Sequence, residues 1–167
     1  MMFAEGIHFE KVPFEFYESA VGQPGCGGVV KQNYSDIPLP KRGTRGRAGY
    51  DFYADKRYTI EPGSSAIIST GICAYMPEEI VLLLFPRSGL AFNHSVHLAN
   101  DVAVIDSDFV NGKTHGHILV KLVNEGKETL YIEKGSRFCQ GVFMPYLVTD
   151  DDDAIGERVG GVGSTGT

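Results

Sequence analysis

Four polar clusters interrupt a chain that is otherwise patterned like apolar strands, and each carries residue types that do chemistry. In "FPRSGLAF", Arg87, Ser88 and Gly89 follow directly on an apolar run. A guanidinium, a hydroxyl and a glycine N–H at a strand end make a compact anion site, although the same triplet also builds ordinary turns. In "LANDVAVIDSDF", Asn100, Asp106 and Asp108 are set among Val102, Val104 and Ile105. A carboxylate in such surroundings is expected to be buried, and then it needs a partner or a purpose. Asp106 and Asp108 share a face if the segment is a strand; if the backbone turns at "DSD", only one need point inward. Two readings stand side by side: an Asx-turn that closes a hairpin, and a general base that activates water. "RAGYDFYA" places Asp51 among apolar and aromatic neighbours. The stretch "GERVGGVGSTGT" supplies Arg158, five glycines, Ser164 and Thr165.

That last stretch is not a P-loop, which needs a lysine before Ser/Thr at the start of a helix. Its glycines can still bring backbone N–H groups onto phosphate, and a glycine-rich stretch that orders on a ligand behaves as a lid. The histidines offer a different chemistry: His94 and His97 lie three apart, His115 and His117 two apart. Such a set can bind zinc, but no Cys, Asp or Glu spacing completes it.

The bulk numbers narrow the class. The chain has 167 residues, 43% hydrophobic and 22% charged, enough for one domain with a core. The formal net charge of −6 disfavours binding to nucleic acid but leaves room for a small anion held by clustered arginines. Cys26, Cys73 and Cys139 are odd in number and widely spaced, which suggests reduced thiols rather than a disulfide framework. The first residues lack the apolar core of a signal peptide, and no apolar stretch approaches the ~20 residues that span a bilayer. The expectation is a cytoplasmic protein without a membrane partner.

The elements that must position these residues read as strands. "YTIEPGSSAIISTGICAYMP" has an apolar run on each side of the turn "EPGS", and "EIVLLLF" is a continuous run suited to a strand buried on both faces. "GHILVKLVN" alternates, with Ile118, Val120 and Leu122 on one face. "NEGKETLYIEKGSRFCQGVFMPYLV" reads as strand, turn, strand. No amphipathic helix longer than two turns stands out. The fold class is all-β, a sandwich or barrel. Composition divides the chain into an N-terminal arm (1–28) ending in the hinge "GQPGCGG", a β core (29–149), and an acidic linker with a glycine-rich lid (150–167).

Five of these segments, in this order, resemble the motifs of the trimeric dUTPases, the deoxyuridine triphosphate nucleotidohydrolases: "AGYDF" (48–52), "PRSGLA" (86–91), "NDVAVIDSDF" (100–109), "GSRFCQGVF" (135–143) and "RVGGVGSTG" (158–166). The resemblance implies a β jelly-roll that forms a homotrimer, with each site shared among subunits and closed by a neighbour's lid. It implies hydrolysis of dUTP to dUMP and pyrophosphate with Mg²⁺ carried mainly by the triphosphate, an activity that supplies dUMP and keeps uracil out of DNA. It also implies roles. Asp106 is the general base for water attacking the α-phosphorus, and Arg158 neutralises the charge that develops. Arg87, Ser88, Gly89 and Gln140 hold phosphates or the water. Asn100, with backbone groups near Val104, Ile105 and Leu119, reads uracil. Phe109 packs on the sugar, Ser164 and Thr165 bind the terminal phosphate, and Asp51 stands behind the magnesium waters. No direct protein ligand to the metal is expected.

Three departures from the pattern follow. Phe109 replaces the usual Tyr, "FVNGKTHGHI" carries an insertion at Val110–Gly116, and Val162 stands where a uracil-stacking Phe is usual, so that either closure is weaker or an aromatic from elsewhere, with Phe92 and Phe109 the candidates by position, covers the base. Two alternatives share the fold. A dCTP deaminase needs a catalytic Glu on the strand that here reads "HILVKLVN", without a carboxylate. A regulatory protein acting through a partner could use the arm and the insertion as its surface.

Overall fold

The computed structural model describes residues 6–21, 31–158 and 160. Among them, twelve strands and three short helices form an all-β architecture in which every strand pairing is antiparallel. The strands are β1 (His8–Lys11), β2 (Lys41–Arg42), β3 (Tyr50–Tyr53), β4 (Tyr58–Ile60), β5 (Ser65–Ser69), β6 (Ile72–Tyr75), β7 (Ile80–Pro86), β8 (Val96–Leu98), β9 (Ala103–Ile105), β10 (Leu119–Asn124), β11 (Leu130–Ile132) and β12 (Arg137–Pro145). The helices are α1 (Phe14–Val21), α2 (Lys31–Asp36) and α3 (Ser88–His94). The main sheet runs β2-β3-β12-β7-β9, and a second runs β5-β10-β8; the pairs β4–β11 and β1–β6 complete the walls. Between them sits one core, in which Phe52, Leu82, Leu84 and Phe138 of the main sheet meet Ile68, Leu98, Val120 and Leu122 of the second.

The local patterns carry through. In β10 the buried residues are Val120, Leu122 and Asn124, with Ile118 buried just before, so the alternation is the one the sequence shows. The turn Glu61–Ser64 has Gly63 at φ +71 after Pro62, and the Ser64 N–H donates to the Glu61 carbonyl at 3.0 Å. Only glycine takes that conformation without strain. The strands it joins are not partners of each other, however: β4 pairs with β11 and β5 with β10. Nor is the hairpin expected after "VAVIDSDF" formed. β9 pairs with β7, whereas β10 pairs with β5 and β8, so the chain crosses between sheets through a 3-10 turn, Ser107–Asn111.

Residues 8–21 are continuous with the core. β1 adds to β6, Val12 and Val21 are buried, and the Tyr17 hydroxyl donates to Asp55 at 2.6 Å. Tyr58 donates to the other oxygen of Asp55 at 2.6 Å, so a carboxylate with 1% exposure is satisfied on both sides. The insertion docks on the same helix, with the His115 ring stacked on Phe16 at 5.4 Å. His117, 2% exposed, accepts the Gly71 N–H at 3.0 Å and lies 3.1 Å from the Ser69 hydroxyl, and burial pushes its pKa down to about 4.

Candidate active site

The chemical residues gather at the two ends of β7. At its C-terminal end, Asp51 is 1% exposed and faces three guanidiniums: Arg87 at 3.2 Å, Arg137 at 3.4 Å and Arg47 at 3.5 Å. Each has a local reason to be there. Arg87 follows the last residue of β7 and leads into α3, which leaves Ser88 and Gly89 exposed. Arg137 stands at a bulge in the β12–β3 ladder, between it and Cys139, and a bulge re-aims the side chain beside it. Gln140 lies opposite both Asp51 and Phe85 in register, and its amide nitrogen is 3.4 Å from the Pro86 carbonyl. Gly49 has no side chain because a Cβ there would sit 2.5 Å from the Gln140 carbonyl oxygen. The charges do not balance. One carboxylate faces three cations, and its Oδ1 is buried without a hydrogen bond although Arg87 Nε is 3.2 Å away, because the guanidinium is not aligned on it.

At the other end the ratio is reversed. Asp106 leaves β9 and opens the 3-10 turn, which brings Asp106 and Asp108 onto one cation. Arg158 donates to Asp106 at 2.5 Å and to Asp108 at 2.8 Å, and its guanidinium lies 5.5 Å over the Phe109 ring. The Arg158 side chain is 13% exposed, whereas the two carboxylates are about half exposed. The expected burial of Asp106 is therefore not found: Ile105 faces the core from β9, but Val102 and Val104 are themselves exposed, and the aspartate sits where the strand ends. Glu78, Glu79, Asp152 and Glu157 also line this cleft of about 1150 Å³.

Register fixes the distance between the two ends. Ile105 pairs with Leu82, so Asp106 lies beside Val81, six residues along β7 from Arg87. At 3.3 Å per residue the two are about 20 Å apart. A single chain does not bring Arg87, Ser88 and Gly89 together with Asp106.

The remaining candidates are spread between these ends. Asn100 is exposed in the turn between β8 and β9, at the Arg87 end. Val104 and Ile105 lie in β9, opposite Leu83 and Leu82; Leu119 starts β10, opposite Ser69. Phe109 is 6% exposed beneath Arg158, and Phe92 is 89% exposed on α3. Ser164, Thr165 and Val162 lie outside the described residues. Arg47 and Arg137 are the residues that sequence reading passed over: Arg137 lies inside a quoted motif and Arg47 one residue before another, but nothing in the chain order says that both reach Asp51. The histidine zinc set is not assembled, and the described residues contain no group of three or more His, Cys, Asp or Glu placed to hold a metal.

An antiparallel β-barrel with an arginine cluster at one end of a strand and a half-exposed aspartate at the other has the groups that a phosphate-handling β protein needs. The comparisons make it particular. The dUTPase family model matches residues 35–166, and the chain belongs to that family. It is 42% identical over 141 residues to the deoxyuridine 5'-triphosphate nucleotidohydrolase of Lactococcus lactis, a match covering 83% of this chain and 94% of that protein. It is 41% identical over 136 residues to the protein of the same name from Desulfitobacterium hafniense, covering 77% and 87%. Among solved structures, the crystal structure of the Streptococcus mutans dUTPase superposes with a TM-score of 0.66 at 35% identity, covering 85% of this chain and 98% of that one. The dUTPase of a Staphylococcus aureus phage, phi11, shares the fold at 18% identity with a TM-score of 0.64.

Proposed function

We propose that this chain hydrolyses dUTP, bound as its magnesium complex, to dUMP and pyrophosphate, in sites assembled between subunits of a homotrimer. The observation that carries the reading is the half-exposed Asp106 carboxylate held beside Arg158. A carboxylate open to solvent at a strand end can take the proton of a water attacking the α-phosphorus. A guanidinium at that point can leave the carboxylate for the phosphate oxygens as charge builds there. The nucleotide relatives supply the substrate by name, and the five motifs supply the same residue types.

The roughly 20 Å between Asp106 and Arg87 supports sharing among subunits. The phosphates would lie on the arginine end of one chain, and the attacking water at the Asp106 end of another. Asn100 and the backbone of Val104, Ile105 and Leu119 would select uracil, because a hydrogen-bonding edge that mispairs with cytosine costs a few kcal/mol. Ser164 and Thr165 would close on the terminal phosphate. Magnesium would arrive with the triphosphate, and the unbonded Oδ1 of Asp51 is an acceptor suited to a water of its shell once the guanidiniums turn to phosphate. Buried free thiols at Cys73 and Cys139 suit a reducing cytoplasm. Among the described residues no helix is long and apolar enough to cross a membrane.

Pyrophosphate release measured across the deoxynucleoside triphosphates, with and without Mg²⁺, tests the reading. Turnover confined to dUTP and dependent on Mg²⁺ is expected. Ammonia release from dCTP, or equal turnover of all four, would overturn it.

A further inference from the structure

We propose that Arg47, which stands outside the five motifs, is a further substrate-binding residue that grips the terminal phosphates of the nucleotide. The inference rests on the function proposed above and names one more of its contacts. Arg47 belongs to the loop between β2 and β3, and that loop is built around it. The Arg42 guanidinium donates to the Arg47 carbonyl at 3.0 Å and to the Arg45 carbonyl at 3.2 Å. The Arg47 N–H donates to the Thr44 carbonyl at 3.2 Å. Gly43 leaves room for the side chain to lie across the loop, since a Cβ there would come within 2.8 Å of an Arg47 guanidinium nitrogen. The backbone is thus pinned on both sides of a long side chain whose tip is held beside Asp51.

That tip is not consumed by Asp51. Of the three arginines around the carboxylate, only Arg137 meets it with hydrogen-bond alignment; Arg47 and Arg87 are ion pairs by distance alone. The side chains of Arg47 and Arg87 are 36% and 28% exposed, so each has donors facing solvent. One negative charge among three positive ones leaves a net charge of two on a surface that also presents Ser88, Gly89 and Gln140. Like charges at this spacing repel unless an anion joins them. A triphosphate tail has the charge and the spread of oxygens to do so, and a guanidinium meets it with parallel N–H groups.

The test compares ligands with and without terminal phosphates. In the full-length trimer, Arg47→Ala should raise the KM for dUTP about tenfold, the worth of one charge-assisted hydrogen bond, with kcat held within about twofold. Inhibition by tripolyphosphate should weaken by the same factor, and inhibition by dUMP should not change. Arg47→Gln, which keeps most of the side chain and loses its charge, should match Arg47→Ala; recovery by Gln would assign a packing role and overturn the proposal. The loss in tripolyphosphate binding, read by calorimetry so that no turnover is needed, should persist at threefold or more in an Arg87→Ala background. Its disappearance there would mean that Arg47 acts only through Arg87, which also overturns the proposal, as would an unchanged KM or an equal weakening of dUMP. Should the wild-type protein release no pyrophosphate from dUTP, the proposed function fails, and calorimetric binding of tripolyphosphate to wild type and Arg47→Ala still decides this residue.

Discussion

The two ends of β7 are opposites in charge. Around Asp51, three guanidiniums share one carboxylate; around Arg158, two carboxylates share one guanidinium. Each end is incomplete by the same logic. The first has donors to spare and attracts a polyanion. The second, with Glu78, Glu79 and Glu157 nearby, repels one and keeps its two aspartates in contact with water. Hydrolysis of a nucleotide phosphate needs both, and a triphosphate cannot bridge about 20 Å of strand within one chain. In the proposed trimer the difference between the ends becomes a division of labour between copies of the chain.

Breaking the acidic end should have the largest effect. Asp106→Asn removes the proposed base while keeping its shape, and kcat for pyrophosphate release should fall about 10³-fold, within the range for general-base catalysis, with an unchanged melting temperature. Retained activity would move the base elsewhere. Mixing the two ends sharpens the comparison further. Asp106→Asn and Arg87→Ala chains, each inactive alone, should regain about a quarter of wild-type activity when refolded together at equal amounts, because random trimers then contain intact hybrid sites. No recovery would mean that both residues of a site come from one chain. Val162→Phe restores a stacking surface worth about 1–3 kcal/mol per base, so the KM for dUTP should drop by roughly tenfold. An unchanged KM would show that the base is already covered. The smallest effect at neutral pH belongs to His117, which controls folding rather than chemistry. The unfolded chain takes up a proton near pH 6.5 that the folded chain refuses until about pH 4, so stability falls as pH drops through that window. The slope, read from urea midpoints, should flatten in His117→Gln. A similar slope in both would assign the acid sensitivity elsewhere.

How much of this could be read in the sequence depends on the range of the interaction. The alternation in β10, the turn at Gly63 and the order of the five motifs are local, and they stand in the chain as written. Pairing is not local. Nothing between Asp106 and Ile118 says that β9 will join β7 and β10 will join β5, because the apolar faces on both strands are equally good at burying themselves. The exposure of Asp106 was missed for the same reason: its neighbours' hydrophobicity reports on β9, and the aspartate sits one step past it. Asp55 carries no signal in the sequence, since the tyrosines that satisfy it come from positions 17 and 58. Arg47 and Arg137 became visible only once β3 and β12 were side by side.

One element also sets when the protein can exist. β12 lies between β3 and β7 in the main sheet, and it is the last strand among the described residues. Until residues 137–145 have left the ribosome, β3 and β7 have no neighbour between them, and the main sheet is two fragments with open edges. Assembly of the main sheet therefore waits for residues 137–145 rather than following synthesis step by step. A chain cut short before β12 would be an aggregating species rather than a smaller enzyme, and it is this strand that a quality-control system would find missing.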